Sequence, residues 1–226
     1  MVGLAQGEEG ALVGRLLELA PPSARRGRGA PSRVIVVGEF NAGKTTLINA
    51  LLGKAVLPTS VVANTRLITV IRFAATPRVF FEGFDRRRRA GGPDALSRPP
   101  EIMARRLHVG LPHEVLKSVQ LIDTPGFAGG NADMEQRTRN ACRRADVIVW
   151  CTPAPQAWKA SEQRVWLGFS ERVRKKGILA ITFADAIARA GEATQLLRRL
   201  NAEAGGHFRA VVMMPQRPSA PSLPIA

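Results

Sequence analysis

The sequence predicts an α/β fold in which a mostly parallel, doubly wound sheet is flanked by helices. Short apolar runs with strand composition alternate along the 226 residues with longer stretches of helical spacing. One apolar run, residues 34–37, leads through a glycine-rich loop directly into a helix. Another, residues 119–122, ends at Asp123, where strands of such sheets present their functional side chains. A chain of this length fits one domain with short extensions.

Residues 38–46, with the sequence GEFNAGKTT, follow the pattern G-x-x-x-x-G-K-[ST] between a strand and a helix. The glycines let the backbone fold around a polyphosphate, and the loop N–H groups form an anion nest at the helix N-terminus. Lys44 is expected to reach the β and γ phosphates, and the Thr45 hydroxyl to ligate Mg²⁺. A chance glycine-rich turn is the alternative, but strand, loop and helix are in register, which predicts a P-loop NTPase. The predicted nucleotide contacts in this loop are Gly38, Asn41, Ala42, Gly43, Lys44, Thr45 and Thr46.

The sequence VQLIDTPGF, residues 119–127, carries the second chemical motif. Asp123 ends its strand, where a carboxylate can hold Mg²⁺ through water opposite the phosphate loop. Gly126 has no side chain, so its N–H can approach the γ phosphate and sense its loss. Thr65, in the intervening loop, is the candidate to close on Mg²⁺ and the γ phosphate, although any loop offers threonines. Together the motifs predict a nucleoside-triphosphate switch whose mobile part is residues 131–144.

The net charge of +15 derives far more from arginine than from lysine, and residues 86–89 are four consecutive arginines. Two interpretations stay open. Such a surface favours anionic partners, namely nucleic acid, acidic lipid or the nucleotide itself; alternatively, it is a solvated basic surface without such a partner. Cys142 and Cys151 have no metal-ligand spacing, so we expect them to be reduced core residues of a cytosolic protein.

Three regions are predicted along the chain. Residues 1–32 comprise an amphipathic helix, 8–20, and a basic Pro/Gly-rich linker. Residues 33–214 form the nucleotide-binding domain, and residues 215–226 a Pro-rich tail. No apolar run reaches the ~18 residues of a transmembrane helix. Acidic residues precede the first apolar stretch, which is the wrong order for a secretory signal.

Periodicity predicts the remaining elements. The helix that follows the phosphate loop should end at Gly53, which suits a left-handed cap. Residues 85–100 should form an irregular surface excursion, followed by a short helix at 101–106 and an edge strand at 107–109. One long helix is expected at 156–176. Its expected apolar face consists of Trp158, Val165, Trp166 and Phe169. The other predicted strands are residues 67–73, 78–84, 146–151, 177–185 and 208–214, with a helix through Arg199 before the last.

With these motifs placed, the chain resembles the bacterial dynamin-like GTPases over residues 8–212. The resemblance rests on GEFNAGKTTLINALLG, the following LPTS with Asn64 and Thr65, IDTPGF, and TFAD at the end of a late strand. The wide separation of Lys44 from Asp123 is similar to the enlarged GTPase domain of dynamin. The resemblance implies GTP and Mg²⁺ as ligands and GTP hydrolysis as the activity.

The resemblance also implies roles for individual residues. The implied catalytic residues are Lys44 and Thr65, and the implied magnesium ligands are Thr45, Thr65 and Asp123. Gly126 would sense the γ phosphate. Thr182 and Asp185 match the guanine motif, in which Asp185 would pair with guanine N1 and N2 and so select GTP over ATP. A further guanine contact would come from residues 213–220, with 219–220 as the candidate.

The sequence departs from the family pattern at three phenylalanines. Phe183 replaces the lysine whose stem lies along guanine, and a phenyl ring stacking on the base is the alternative. Phe40 replaces the phosphate-loop glutamine that orients water in animal dynamins, and Phe127 follows Gly126, where small GTPases approach their own glutamine. Neither position offers a polar group, so unstimulated hydrolysis is expected to be slow.

In the family, GTP-driven pairing of GTPase domains acts on helical stalks at membranes, and this chain ends before a stalk. The resemblance therefore implies a homodimer across the nucleotide face, and membrane remodelling through an anionic membrane surface or a stalk-bearing partner. The expected location is cytoplasmic, or peripheral at the inner face of the membrane. A truncated product and a partner-completed chain both stay open.

Two other functions stay open. A non-catalytic, nucleotide-dependent adaptor would explain the phenylalanines. An RNA- or ribosome-associated GTPase would explain the charge. The sequence has no recognisable RNA-binding module beside the GTPase core, which makes nucleic acid the less favoured partner.

Overall fold

A computed structural model describes most of the chain between the two termini. The described residues are Glu18, 29–58, 67–92, 104–127, 132–184, Ile187 and 190–214. The predicted helix at 8–20, apart from Glu18, and the predicted tail at 215–226 lie outside them, as do Thr65 and Asp185. Among the described residues, no helix is both long and apolar enough to cross a membrane.

Nine strands of the described residues form one sheet, in the order β4-β3-β5-β2-β6-β1-β7-β8-β9. The strands are β1 Ser32–Gly38, β2 Ile68–Phe73, β3 Arg78–Gly83, β4 Arg88–Ala90, β5 Ala104–Leu111, β6 Val119–Asp123, β7 Val147–Pro153, β8 Gly177–Thr182 and β9 Ala210–Met213. Neighbours are parallel throughout β6-β1-β7-β8-β9 and between β2 and β5. The antiparallel pairs are β2 with β6 and β3 with its two neighbours. The predicted mostly parallel sheet is confirmed.

Helices cover both faces of the sheet around β1. They are α1 Lys44–Leu51, α2 Val115–Ser118, α3 Ala132–Arg144, α4 Ala160–Leu167, α5 Glu171–Arg174 and α6 Ala190–Ala204. Alternate residues of β1 enter different cores, as strand geometry requires. Val36 belongs to the cluster that contains Leu47 and Ile48 of α1, whereas Val37 belongs to the cluster that contains Cys142 of α3. A strand buried on both faces explains the continuous apolar run before the phosphate loop.

The segment after β3 differs from the prediction. Within the expected irregular excursion, Arg88–Ala90 forms an exposed edge strand that pairs with β3. Residues 104–106 are strand and not helix, and β5 lies inside the sheet between β3 and β2. Local composition favoured irregular structure here, but pairing with strands distant in sequence decides it. The arginines suit an edge, since charged side chains discourage further strand pairing.

The predicted long helix at 156–176 is divided into a 3₁₀ turn, Ala154–Gln156, followed by α4 and α5. Trp158 adopts φ +63°, which a helix does not tolerate, and residues 168–170 separate α4 from α5. The predicted burial of the aromatic residues is confirmed, because Trp158, Trp166 and Phe169 are all buried, but they do not form one face of a single helix. Val165 is half-buried and packs against the same cluster. Because the helix is interrupted, aromatic side chains that are separated by these breaks pack into one core.

Candidate functional site

The phosphate loop begins at the carboxyl end of β1, between the two parallel neighbours β6 and β7. Ligands of open α/β sheets bind at such a switch point. The loop turns tightly, with φ +57° at Asn41 and φ +75° at Gly43, immediately before α1 begins. Gly38 has φ +148°, and a Cβ there would lie 2.5 Å from the Cys151 carbonyl oxygen. The loop therefore needs glycine at its first position.

Lys44, the first residue of α1, turns back into the loop. The side chain is buried, and Nζ donates a hydrogen bond to the Glu39 carbonyl oxygen at 2.6 Å. Burial lowers the pKa of Lys44, while the charge of Asp123 opposes that change. A phosphate oxygen would be a stronger acceptor than the carbonyl, because it adds a negative charge that attracts the ammonium group, whereas the carbonyl is neutral. The loop thus holds its cation at the place where phosphate groups would enter.

Thr45 and Asp123 place two oxygen atoms that could ligate a metal ion next to each other, beside Lys44. The Thr45 Oγ1 donates a hydrogen bond to Asp123 Oδ2 at 2.9 Å, and the backbone N–H of Thr124 donates to Asp123 Oδ1 at 3.0 Å. Burial raises the pKa of Asp123 to about 6, and the Thr45 hydrogen bond and the Lys44 charge oppose the rise. A hydroxyl and a carboxylate are the hard donors that Mg²⁺ prefers, so this donor set fits the ion.

Gly126 lies directly against the phosphate loop. A Cβ at Gly126 would be 2.6 Å from the Phe40 backbone nitrogen and 2.9 Å from its Cα. The next residue fixes this approach, because the Phe127 N–H donates a hydrogen bond to the Gly38 carbonyl oxygen at 3.0 Å. The second motif therefore touches the first through backbone atoms, and only glycine leaves room for the contact.

The two phenylalanines near the phosphate loop have different surroundings. Phe127 is fully buried and stacks on Trp150, with ring centroids 5.6 Å apart. Phe40 is 65% exposed on the outside of the loop. Phe127 therefore belongs to the core, whereas Phe40 presents an apolar ring to solvent beside the site.

Thr182 connects the guanine motif to the phosphate loop. Its buried hydroxyl donates to the Ala42 carbonyl oxygen at 2.9 Å and lies 3.2 Å from the Thr152 carbonyl oxygen. Phe183 follows with φ +55°, a turn out of β8. The described part of the chain thus shows Thr182 bracing the loop; its predicted partner in base recognition, Asp185, lies outside that part.

Three further residues support the site and were not predicted. Lys159 Nζ pairs with Glu39 Oε2 at 2.7 Å, which joins the loop to the start of α4. The side chain of Asn49 accepts hydrogen bonds from the N–H groups of Val56 and Leu57, at 3.1 and 2.9 Å, and donates to the Leu57 carbonyl oxygen at 2.7 Å. Asn49 thereby fixes the chain that leads toward Thr65. Only its place in INALLG, on α1, could have drawn attention to it.

Glu162 is the third of these residues. It is buried on α4 and accepts hydrogen bonds from Thr152 Oγ1 at 2.8 Å and from the Lys159 N–H at 3.1 Å. Burial raises the pKa of Glu162 above its ordinary value. Nothing in the sequence distinguishes this glutamate from the solvated acidic residues of a surface helix.

The predicted site residues on the described strands and helices converge at one end of β1. The loop residues from Gly38 to Thr46 surround the start of α1, and Asp123 and Gly126 meet them from β6. The fold and this arrangement define a P-loop NTPase.

Comparison with known proteins narrows that class. The model of the Dynamin family matches residues 34–181, which is well over half of the chain. The chain therefore belongs to the dynamin family. The resemblance to the dynamin-like GTPases seen in the sequence is thereby confirmed.

Curated relatives include a probable transmembrane GTPase, FZO-like, chloroplastic, from Arabidopsis thaliana, which is 30% identical over 155 residues. The match covers 69% of this chain and 15% of the relative. Dynamin-like protein 2 of Campylobacter jejuni is 28% identical over 168 residues, covering 69% of this chain and 26% of the relative. The isoniazid-induced protein IniC of Mycobacterium tuberculosis is 35% identical over 127 residues, covering 52% and 25%. The chain thus spans about a quarter or less of these relatives.

Solved structures agree on the fold. One chain of an oligomerised bacterial dynamin pair superposes with a TM-score of 0.60 at 17% identity, over 94% of this chain and 37% of that one. Aquifex aeolicus Era bound to GDP and AlF₄⁻ superposes with a TM-score of 0.51 at 20% identity, over 81% of this chain and 50% of that one. Both likenesses concern the fold alone.

Proposed function

We propose that this domain binds GTP with Mg²⁺ and hydrolyses GTP to GDP and phosphate, and that pairing of two copies across the nucleotide face accelerates the reaction. One observation carries the proposal: Lys44 and the Thr45–Asp123 pair meet inside a glycine-turned loop at the carboxyl end of β1. A buried cation beside hard oxygen donors suits a metal-bound polyphosphate.

Each residue has a separate part in the proposed reaction. Thr45, Asp123 and Thr65 would hold Mg²⁺, whose positive charge would offset the charge of the transferring phosphoryl group. The Lys44 ammonium leaves the Glu39 carbonyl and donates to the β and γ phosphates. Thr65 positions the attacking water. Asp185 selects guanine, and Thr182 keeps the loop carbonyl in place behind the phosphates.

A membrane surface is the proposed place of action. The Arabidopsis relative is named a probable transmembrane GTPase, and the bacterial dynamin pair is described as sensing and tethering membranes. We propose that this chain acts as a cytoplasmic protein at the inner face of a membrane, through an anionic lipid surface or a stalk-bearing partner.

Equilibrium binding of fluorescent GTP and ATP analogues, with and without Mg²⁺, tests the nucleotide assignment. Lys44→Ala should abolish binding, because it removes the one cation inside the loop. Lys117→Ala is the matched control, since Lys117 lies on the surface and pairs with Glu114. Selective, Mg²⁺-dependent GTP binding supports the proposal. Unchanged affinity in Lys44→Ala would refute it.

The rate of hydrolysis as a function of protein concentration tests the pairing. Turnover per molecule should rise with concentration, and Phe40→Ser should weaken that rise by removing an exposed apolar ring beside the site. Phe73→Ser is the control, because Phe73 is also exposed but ends β2, away from the loop. Turnover that is independent of concentration in the parent would contradict the pairing.

A non-catalytic, nucleotide-dependent adaptor is the second candidate function. It is favoured by Phe127, whose burial against Trp150 leaves no polar side chain at that position to orient water. The adaptor predicts tight GTP binding with turnover no faster than buffer controls at every protein concentration.

A further inference from the structure

A cavity of about 290 Å³ lies on the sheet face that also carries α3. Its floor contains Ile68 and Val70 of β2, and its rim is strongly basic. The residues that decide its chemistry are Arg72, Arg88, Arg106, Arg144, Glu82 and His108. We call this feature the arginine cavity. Its volume is near the lower end of the range for small-ligand sites.

Strand register brings these side chains together from distant parts of the sequence. Glu82 of β3 is opposite Arg88 of β4 on one side and Arg106 of β5 on the other. Arg106 is in turn opposite Ile68 of β2. Because cross-strand partners share a face, these residues form one row across four strands. Arg72 adds a guanidinium from the other end of β2.

Of the four consecutive arginines at 86–89, Arg88 is the one that lines the cavity. Arg89, the next residue of β4, points to the opposite face because successive strand residues alternate, and Arg87 precedes the strand; neither lines the cavity. Arg89 instead pairs with Asp85 at 3.2 Å on the exposed side. Likewise, Arg144 at the end of α3 lines the cavity, whereas Arg143 bonds to Asn140. The chain therefore carries an internal control beside each of these two arginines.

The arginine cavity has far more positive than negative charge. Its one carboxylate, Glu82, is already engaged by His108 at 2.9 Å and by Arg106 at 3.8 Å. Among the described residues, no carboxylate lies within ion-pair distance of Arg72, Arg88 or Arg144. Burial, with a further contribution from the neighbouring Arg88, lowers the pKa of Arg72. Burial also lowers the pKa of Arg106; Glu82 opposes this change, whereas Arg105 and Arg144 add to it. The guanidinium groups thus repel one another, and within the described part of the chain Glu82 is the one carboxylate of the cavity that offsets this repulsion.

The cavity is separate from the nucleotide site. Gln120 and Ile122 of β6 line it, and because successive strand residues point to opposite faces, the Asp123 side chain lies on the other face, where Thr45 of α1 bonds it. No residue of the phosphate loop, 38–46, lines the cavity. The phosphate loop lies beyond Asp123, at the carboxyl end of the neighbouring β1. A ligand in the arginine cavity would therefore not occupy the phosphate loop.

We propose that the arginine cavity is a second anion site, which binds a compact ligand carrying more than one phosphate group. Several converging guanidinium groups in a partly enclosed space match phosphate oxygens, which accept paired hydrogen bonds from arginine. The ligand would relieve the repulsion among the arginines. A soluble polyphosphate and the phosphate-bearing headgroup of an anionic lipid share this chemistry.

The test compares two double variants by calorimetric titration with tripolyphosphate in the presence of saturating GDP and Mg²⁺, and again on the Lys44→Ala background. Arg88→Ala/Arg144→Ala removes two cavity arginines. Arg87→Ala/Arg143→Ala removes the same charge from adjacent positions outside the cavity. The cavity variant should bind at least about tenfold more weakly than the control variant, because it lacks two of the guanidinium groups that would pair with phosphate oxygens. Equal losses in both variants would overturn the proposal in favour of net charge alone.

Flotation with phosphatidylcholine vesicles, with and without phosphatidylglycerol, distinguishes the two sources of phosphate. Binding to the anionic vesicles that is lost only in the cavity variant identifies a lipid headgroup. Tripolyphosphate binding without vesicle binding identifies a soluble anion. Both outcomes support the site. Loss of RNA binding in the cavity variant, without any tripolyphosphate binding, would overturn it in favour of a nucleic-acid surface.

Chemical modification of the parent protein avoids any dependence on the folding of variants. Tripolyphosphate should slow the reaction of phenylglyoxal with Arg88 and Arg144, mapped by peptide mass, and leave Arg87 and Arg143 unaffected. Equal protection of all four arginines, or none, would overturn the proposal.

Discussion

Gly126→Ala tests whether the second motif senses phosphate through a backbone contact with the phosphate loop. The added methyl carbon would lie 2.6 Å from the Phe40 backbone nitrogen, about 0.9 Å short of the ~3.5 Å of an ordinary contact. Both partners are backbone, so rotation of a side chain cannot relieve the overlap. The loop and the motif must separate, at the expense of the Phe127–Gly38 hydrogen bond.

The expected result has two parts. Overpacking of this kind costs about 1–3 kcal/mol of the free energy of unfolding. The affinity for a GTP analogue should fall by about tenfold or more, because the Gly126 N–H no longer reaches the γ phosphate. The affinity for GDP, which has no γ phosphate, should fall less.

Urea denaturation and equilibrium binding of GTP and GDP analogues measure these effects. Gly92→Ala is the matched control, since it adds the same methyl group where no atom lies within 4 Å. The reasoning is refuted if Gly126→Ala equals Gly92→Ala in both assays. An equal loss of affinity for GTP and GDP would show that the contact shapes the loop but does not sense the γ phosphate.

Three further predictions concern buried polar contacts. Thr182→Val should lower the free energy of unfolding by about 1–2 kcal/mol and weaken nucleotide binding, because the Ala42 carbonyl loses its hydrogen-bond donor. Thr182→Ser keeps the hydroxyl and should stay near the parent. Equal values for the two variants in denaturation and binding assays would contradict this. Asn49→Ala should cost about 3 kcal/mol in denaturation, since three hydrogen bonds are lost, two of them with Leu57, and a loss below about 1 kcal/mol would count against it. Burial raises the pKa of Glu162 in the folded state above its ordinary 4.5, so the folded state holds this proton more tightly than the unfolded state. The free energy of unfolding of the parent should therefore fall, relative to that of Glu162→Gln, as the pH rises from about 4.5 through the raised pKa. A difference between the two proteins that does not change with pH in denaturation assays would contradict this.

The motif-bearing part of the fold was predictable because its signals are local. A β-branched run, a glycine-rich loop and an amphipathic helix follow one another directly, and the left-handed Gly53 ends α1 as expected, with φ +60°. The position of Asp123 at the end of β6 follows from the same alternation of elements. These residues are close in sequence to the feature that identifies them.

The other elements depend on partners that are distant in sequence. Arg88–Ala90 is a strand only because β3 pairs with it, and residues 104–106 extend β5 because two strands flank them. In the candidate site, Lys159 meets Glu39 and Thr182 meets Ala42 across the fold. A single sequence contains no pattern that joins such pairs. Their roles therefore appear only when the backbone path is known.

The phosphate loop is held in shape by contacts that a bound nucleotide would leave in place. Thr182 supports Ala42, and Lys159 pairs with the Glu39 carboxylate. The hydrogen bond from Lys44 Nζ to the Glu39 carbonyl, in contrast, uses a donor that phosphate oxygens would take over. Little ordering entropy is then lost in the loop on binding, which favours affinity without a change of loop shape. The difference between the GTP and GDP states is accordingly expected at Gly126, where the second motif meets the loop through one backbone contact.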